Sequence, residues 1–167
     1  KVSMSNLCQE ITLPTTPIQH IDDGEGEIAL CILSAVNVGA LNDLAELENI
    51  CDLSVRALEQ IIDYQDYPVK AAEVSTKKRR SLGIGYIGLA HYLAKNGVKY
   101  SDPEAWALVD RLTEAFQYHL LRASCDIAME KGKCEGFERT KYADGLLPID
   151  HYKKEVDEIV PHKQRMA

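Results

Sequence analysis

The sequence predicts a helix-rich α/β fold in which one or two short strands precede mostly helix. Residues 27–36 form a nearly continuous apolar run after turn-forming residues, which is typical of a strand buried on both faces of a parallel sheet. Residues 42–63 and 81–95 instead place apolar side chains at three- and four-residue steps, as amphipathic helices do, and residues 101–131 have the start and stop signals of a helix. A hydrophobic content of 46% and a charged content of 27% in 167 residues suit an ordinary globular domain.

The first third of the chain contains the predicted strand. Residues 6–13 are predicted to form a short extended segment, and residues 14–26 a loop with an Asp-Asp-Gly turn at 22–24. Cys31 is expected in the middle of the strand over 27–36. Cys51 lies on the apolar stripe of the helix over 42–63, so we expect it to be core packing.

The predicted helix over 81–95 contains a glycine run, 83–88, that matches G-x-G-x-x-G literally. A dinucleotide-binding turn needs a buried strand directly before it, but residues 76–81 are basic and polar. We therefore expect these glycines to allow close helix packing. A nicotinamide-dependent dehydrogenase would rest on this match alone.

The helix over 101–131 has clear start and stop signals. Ser101 and Glu104 have the spacing of a capping box, Pro103 suits an early helical position, and Gly132 follows the last turn. A loop is predicted up to Pro148, and Asp150 is predicted to cap a short helix over 150–160.

Charge and composition exclude several function classes. The net charge of −7 argues against general nucleic-acid affinity, and no apolar stretch reaches the length of a membrane span. Five cysteines without a Cys-x-x-Cys pair predict neither a disulfide framework nor a structural zinc site, and we expect no metal. The basic cluster at 77–80 is predicted to be a solvated loop or helix entry, or alternatively a local phosphate or partner contact.

Three chemically capable side chains stand near the start of the chain. Asn6, Cys8 and Glu10 have spacing two, so they share one face if the backbone there is extended. A thiol between a carboxamide and a carboxylate can act as a nucleophile, a metal ligand or a radical carrier. A cysteine in an apolar neighbourhood is more often inert, so the triplet alone does not establish catalysis.

Several segments, in order and spacing, resemble one family. Residues 5–11, Ser-Asn-Leu-Cys-Gln-Glu-Ile, resemble the active-site finger-loop motif of the large catalytic subunit of class I aerobic ribonucleotide reductase, of the bacterial or bacterial-virus type. Residues 26–34 are similar to the segment that carries a redox cysteine in that family. Residues 63–68, 79–85 and 147–154 resemble its downstream segments.

The resemblance implies a fold and a set of roles. The fold would be part of a ten-stranded α/β barrel, with the finger loop at the N-terminus. Cys8 would become a thiyl radical that abstracts the 3′ hydrogen of the substrate ribose, and Glu10 would be the general base for the 3′ hydroxyl. Asn6 would orient the ribose hydroxyls. Cys31 would be one half of the dithiol that supplies two electrons.

The resemblance also implies partners. The substrate would be a ribonucleoside diphosphate, bound in part by Asn6 and Glu10. This stretch would bind no cofactor: a metal-containing small subunit would supply the radical, and thioredoxin or glutaredoxin the electrons. The complete large subunit would form a homodimer in the cytoplasm, or in the host cytoplasm if the protein is viral, with no direct nucleic-acid or membrane contact.

Residues 1–160 are assigned to the catalytic barrel domain, and residues 161–167 form a tail without visible match. The chain is expected to be an excerpt of a full subunit or a split-gene product, and inactive without the remainder of the large subunit. A non-catalytic helical interaction module, in which Asn6, Cys8 and Glu10 are incidental, is the alternative that composition alone allows.

Overall fold

The protein is described by a computed structural model that covers residues 12–150. Contacts divide the chain into two units, and the first extends to Cys134. The second begins at Glu135, and its described part holds a 3₁₀ turn, Phe137–Arg139. The predicted extended segment at 6–13, the helix over 150–160 and the tail at 161–167 lie wholly or mostly outside the described residues. The domain boundary at 160 therefore stays a prediction.

Two parallel strands form the sheet of the first unit. β1, Ile32–Asn37, pairs with β2, Leu82–Ile87, in a register that sets Ile32 opposite Leu82. A parallel pair needs a long crossover. Here it contains two helices, α1, Glu46–Tyr64, and α2, Lys70–Arg79. After β2 follow α3, Leu89–Lys95, and α4, Pro103–Lys131.

The core lies between one face of this sheet and the helices α1 and α4. Leu47, Cys51 and Leu112 have no exposed surface, which confirms that Cys51 is a core residue. From the sheet, Tyr86 reaches this core and meets the ring of Phe116 edge-on, with 5.5 Å between ring centroids. The apolar stripes of the two helices thus bury themselves against each other and against the strands, as their periodicity predicts.

The strand predicted over 27–36 begins five residues later than expected. Cys31 does not lie in its middle but immediately before its first residue, Ile32. The residues ahead have other partners, because the backbone N–H of Ile28 donates to the carbonyl of Ala71 on α2. The expectation of burial on both faces is also wrong, since Leu33 is 55% exposed while Val36 is buried.

The helix predicted over 81–95 is wrong in its first half, which is β2. Leu82 and Tyr86 are four residues apart, a spacing that one helix face and one strand face both satisfy. Gly88 follows β2 with φ +79° and directly precedes α3. A Cβ at Gly88 would lie 3.0 Å from the backbone nitrogen of Gly39, and the positive φ also disfavours an L side chain, so glycine suits this position.

The glycine run 83–88 is therefore a strand and not the helix-packing surface we expected. Gly83 and Gly85 lie within β2 itself, whereas a dinucleotide fingerprint sets its first glycines in the turn after a strand. The glycine segment 83–88 thus contains the strand itself, and does not follow a strand as the fingerprint requires. The structure gives no support to a nicotinamide site.

The other helices agree with the sequence to different degrees. α1 begins four residues later than predicted, because Asp43 ties down the preceding turn by accepting the N–H of Ala45. α4 matches its predicted bounds, with Pro103 first and Gly132 after its end. Its cap is not the predicted box: the residue before Pro103 is Asp102, whose carboxylate accepts the N–H of Lys99.

Two further predictions about helix ends are corrected. α2 was not predicted at all, and the basic cluster at 77–80 forms its last turn and cap instead of a loop or helix entry. Near the end of the described residues the backbone is already helical at Pro148. Asp150 lies inside that turn and accepts the N–H of Leu147, so it is not the N-cap residue.

Candidate redox-thiol site

The structure describes one of the four predicted site residues. Cys31 is half-buried and lies at the amino end of β1. Asn6, Cys8 and Glu10 lie outside the described residues, so their shared face stays a prediction.

Cys31 lies at the edge of an open sheet face. Side chains alternate along a strand, so residue 31 continues the row that contains Leu33 and Ala35. In the register of the sheet, these two face Gly83 and Gly85. A side chain on Gly85 would have no neighbour within 4 Å. The residues opposite Leu33 and Ala35 are thus glycines, and the face is open at Gly85.

The chain ahead of Cys31 folds back on itself around Asp23. The carboxylate of Asp23 accepts the backbone N–H groups of Gln19, Glu25 and Gly26. These hydrogen bonds lower the pKa of Asp23, Gln19 contributing most. The turn lets Thr16 and Glu27 exchange two backbone hydrogen bonds, of 3.2 and 3.0 Å, in an antiparallel bridge. The segment after residue 12 is thereby fixed beside the segment that leads to Cys31.

Glu27 is a buried carboxylate held by two cations. Its side chain is 4% exposed, and it accepts hydrogen bonds from Arg79 Nε at 2.7 Å and from Lys78 Nζ at 3.1 Å. Burial alone would raise the pKa of Glu27. The hydrogen bonds and charges of Arg79 and Lys78 outweigh burial and hold that pKa below its usual value. The group is therefore ionised at neutral pH.

The whole basic cluster is paired in this way. Lys77 binds Glu73 at 2.7 Å, while Arg80 binds Glu59 and Asp63. Carboxylates of the same chain thus occupy all four cations. The cluster is therefore not the solvated loop or helix entry that we expected, and a phosphate or partner contact stays a prediction.

Sequence reasoning missed Glu27 and its two partners. The signal was present, because a charged residue opens an otherwise apolar run at 27–36 and a buried charge needs a partner. What the sequence could not reveal is which of the four cations would meet it. That depends on α2, which was not predicted.

The other described cysteines differ from Cys31. Cys51 is fully buried, and burial raises its pKa to about 11, so this thiol is protonated and inert. Cys125 is exposed on α4, and Cys134 is half-buried at the end of the first unit. Within residues 12–150 no cluster of His, Cys, Asp or Glu could hold a metal ion. No helix in the same range could cross a bilayer.

Comparison with known proteins identifies the fold to which these elements belong. The family model described as "ribonucleotide reductase, barrel domain" matches residues 1–166. The chain belongs to the ribonucleotide reductase barrel-domain family. The mixed strand and helix content agrees with an α/β piece of that domain, and the resemblance noted in the sequence is confirmed.

Curated relatives of the ribonucleotide reductase family agree. The chain is 59% identical over 158 residues to the ribonucleoside-diphosphate reductase subunit alpha of Haemophilus influenzae. It is 54% identical over 158 residues to the ribonucleoside-diphosphate reductase 1 subunit alpha of Escherichia coli, and 41% identical over 164 residues to the ribonucleoside-diphosphate reductase subunit alpha of enterobacteria phage T4. Each match covers 95 to 97% of this chain. The chain spans 21% of the length of these ribonucleotide reductase subunits.

Proposed function

We propose that this chain forms the centre of the catalytic site of a class I ribonucleoside-diphosphate reductase. The supporting observation is an identity of 54 to 59% to reductase alpha subunits across 95% of the chain. The ribonucleotide reductase barrel-domain model matches residues 1–166, a range that contains Asn6, Cys8, Glu10 and Cys31. The reaction converts ribonucleotides to 2′-deoxyribonucleotides for DNA synthesis.

The three N-terminal residues carry the radical chemistry in this proposal. Cys8, as a thiyl radical, takes the hydrogen atom from C3′ of the ribose. Glu10 accepts the proton of the 3′ hydroxyl, for which a carboxylate must lie within hydrogen-bond reach. Asn6 orients the hydroxyls, and the 2′ hydroxyl leaves as water.

Cys31 supplies the reducing side of the reaction. Loss of the 2′ hydroxyl as water must be balanced by two electrons and two protons. A dithiol provides both when it closes to a disulfide, so Cys31 needs a second thiol from another part of the enzyme. The partial exposure of Cys31 is consistent with a thiol that must meet both substrate and partner.

The remaining features of the proposal belong to the complete enzyme. The chain would contribute two parallel strands to a ten-stranded barrel, with the finger loop at its N-terminal side. A metal-containing small subunit supplies the radical, thioredoxin or glutaredoxin re-reduces the site, and the large subunit is a cytoplasmic homodimer. This stretch binds no cofactor of its own.

A competition between isotopically labelled substrates tests the reaction type. The complete enzyme, with its small subunit and a dithiol reductant, is given a mixture of unlabelled ribonucleoside diphosphate and the same compound with deuterium at C3′. Since the C3′–H bond breaks, unlabelled substrate is expected to be consumed faster, and deoxynucleoside diphosphate is expected as product. Equal consumption of the two substrates would contradict hydrogen abstraction at C3′.

A further inference from the structure

We propose that Glu27 is the positioning residue of the Cys31 thiol, through its ion pairs with Lys78 and Arg79. The inference rests on the proposed function, because it assumes that Cys31 is the redox thiol. It assigns a role to a buried charge that the reaction itself does not use.

Glu27 links its own segment to two others, the segment around Thr16 and the end of α2. Its backbone pairs with Thr16 in the antiparallel bridge, and its side chain is held by Arg79 and Lys78 in the last turn of α2. Cys31 follows four residues later. The segment that contains Thr16 and the segment that leads from Glu27 to Cys31 are thus held together at Glu27.

The stretch from Glu27 to Cys31 is held at both ends by the same part of the fold. The next residue, Ile28, donates its N–H to the carbonyl of Ala71 at the start of α2. At the far end, the N–H of Ile32 donates to the carbonyl of Ser81, two residues beyond Arg79, at 3.1 Å. Backbone hydrogen bonds to α2 before Cys31, and to the residue preceding β2 after it, therefore hold the segment that contains Cys31.

The charge of Glu27 matters more than its shape in this arrangement. Arg79 is 14% exposed at its side chain and Lys78 is 28% exposed. Neutralising the carboxylate would leave these shielded cations without their partner, and breaking such a pair costs far more than breaking one in water. The segment would then be held mainly by its backbone hydrogen bonds.

The test compares Glu27→Gln with wild type in the complete enzyme. The amide keeps the size of the side chain and removes its charge. We expect kcat for deoxynucleotide formation to fall about tenfold or more, since small displacements of a reacting group have effects of this size. The KM for the nucleotide is expected to stay within about twofold, because substrate binding is untouched. Glu27→Asp, which keeps the charge, is expected to restore part of kcat.

Alkylation of individual cysteines separates local loosening from general unfolding. Iodoacetamide labelling, read by peptide mass spectrometry, is expected to modify Cys31 about tenfold faster in Glu27→Gln. Cys51, which has no exposed surface, reports opening of the core, and its labelling is expected to stay slow. Equal acceleration of Cys31 and Cys51 would show a merely structural role and overturn the proposal.

Glu73→Gln is the matched control. Glu73 lies on α2 and, like Glu27, binds two cations, Lys70 at 2.9 Å and Lys77 at 2.7 Å, but it is more exposed and its partners are not those of Glu27. We expect wild-type kcat and wild-type labelling of Cys31. If Glu27→Gln behaves like Glu73→Gln in both measurements, the proposal is wrong.

Two further variants keep the test decisive. If Glu27→Gln does not fold, Lys78→Gln removes only the longer of the two contacts, and an intermediate acceleration of Cys31 labelling is expected; wild-type labelling would overturn the proposal. Cys31→Ser tests the proposed function separately, because full turnover by that variant would refute the role of the thiol. The labelling of Cys31 in Glu27→Gln would still decide whether Glu27 positions it.

Discussion

Arg80 shows at the scale of one residue how this fold joins α2 to β2. Its φ of 48° lies in the left-handed region, which an L side chain adopts only at a cost. Its guanidinium binds Glu59 at 2.9 Å and Asp63 at 2.8 Å on α1. Glu59 is buried, so loss of Arg80 would leave its charge without its main partner.

Replacement of Arg80 should separate the strain from the ion pairs. We expect Arg80→Ala to lower the free energy of opening of the core by about 2 to 3 kcal/mol, because Glu59 is left buried without its main partner. Arg80→Gly loses the same pairs but relieves the left-handed backbone, so it should be about 1 kcal/mol less destabilising. The rate of Cys51 alkylation under native conditions measures both changes, since each 1.4 kcal/mol is a factor of about ten in exposure.

Arg56→Ala provides the control for Arg80. Arg56 also binds two carboxylates, of Asp52 and Glu130, but both are well exposed, so a change below about 1 kcal/mol is expected. Arg80 also holds the pKa of Asp63 below its usual value. That stabilisation is present above the unfolded pKa of about 4 and is lost as pH falls through the lower, folded pKa. Identical effects of Arg80→Ala and Arg56→Ala at neutral pH would contradict the account.

At the scale of elements, the packing of α1 on α4 holds the sheet in place. Leu112 of α4 has no exposed surface and lies in the cluster that also contains Leu47 and Cys51 of α1. Only one face of the two strands contacts these helices. The position of the open face, and with it of Cys31, therefore depends on this helix pair.

Leu112→Ala tests that dependence. Truncating a fully buried leucine is expected to cost about 2 to 5 kcal/mol, from lost burial and from the cavity left behind. Alkylation of Cys51 in the complete enzyme should therefore accelerate at least about tenfold. Leu53→Ala is the matched control on α1, because Leu53 is 66% exposed and should change stability by less than about 0.5 kcal/mol. Slow alkylation of Cys51 in Leu112→Ala would refute the packing described.

The elements differ in how well the sequence could predict them, for physical reasons. α1 is long and amphipathic, so its apolar spacing sufficed, whereas α4 was predicted from its start and stop signals, Pro103 and Gly132 among them. α2 consists of Lys-Ala-Ala-Glu-Val-Ser-Thr-Lys-Lys-Arg, which has no apolar stripe, and its helix depends on tertiary contacts. β2 was mistaken for helix because Leu82 and Tyr86 satisfy both periods, and only pairing with β1 decides between them.

At the scale of the whole molecule, the chain spans 21% of the length of the reductase alpha subunits to which it is similar. The sequence motif predicts Asn6, Cys8, Glu10 and Cys31 as site residues, and the family match confirms only the relationship from which those roles were taken. Local patterns could not reveal how Cys31 is held. The ion pairs of Glu27 join residues about 50 positions apart, which no periodicity encodes.

The central claim is that Cys8 carries the radical that starts ribose reduction. Deoxynucleoside diphosphate formation by the complete enzyme with Cys8→Ser tests it most directly, because a hydroxyl cannot replace the thiol as a hydrogen carrier. Cys125→Ser, at an exposed position on α4, is the matched control and is expected to keep the wild-type rate. The account predicts that product formation by Cys8→Ser falls to background, whereas turnover at the wild-type rate would contradict it.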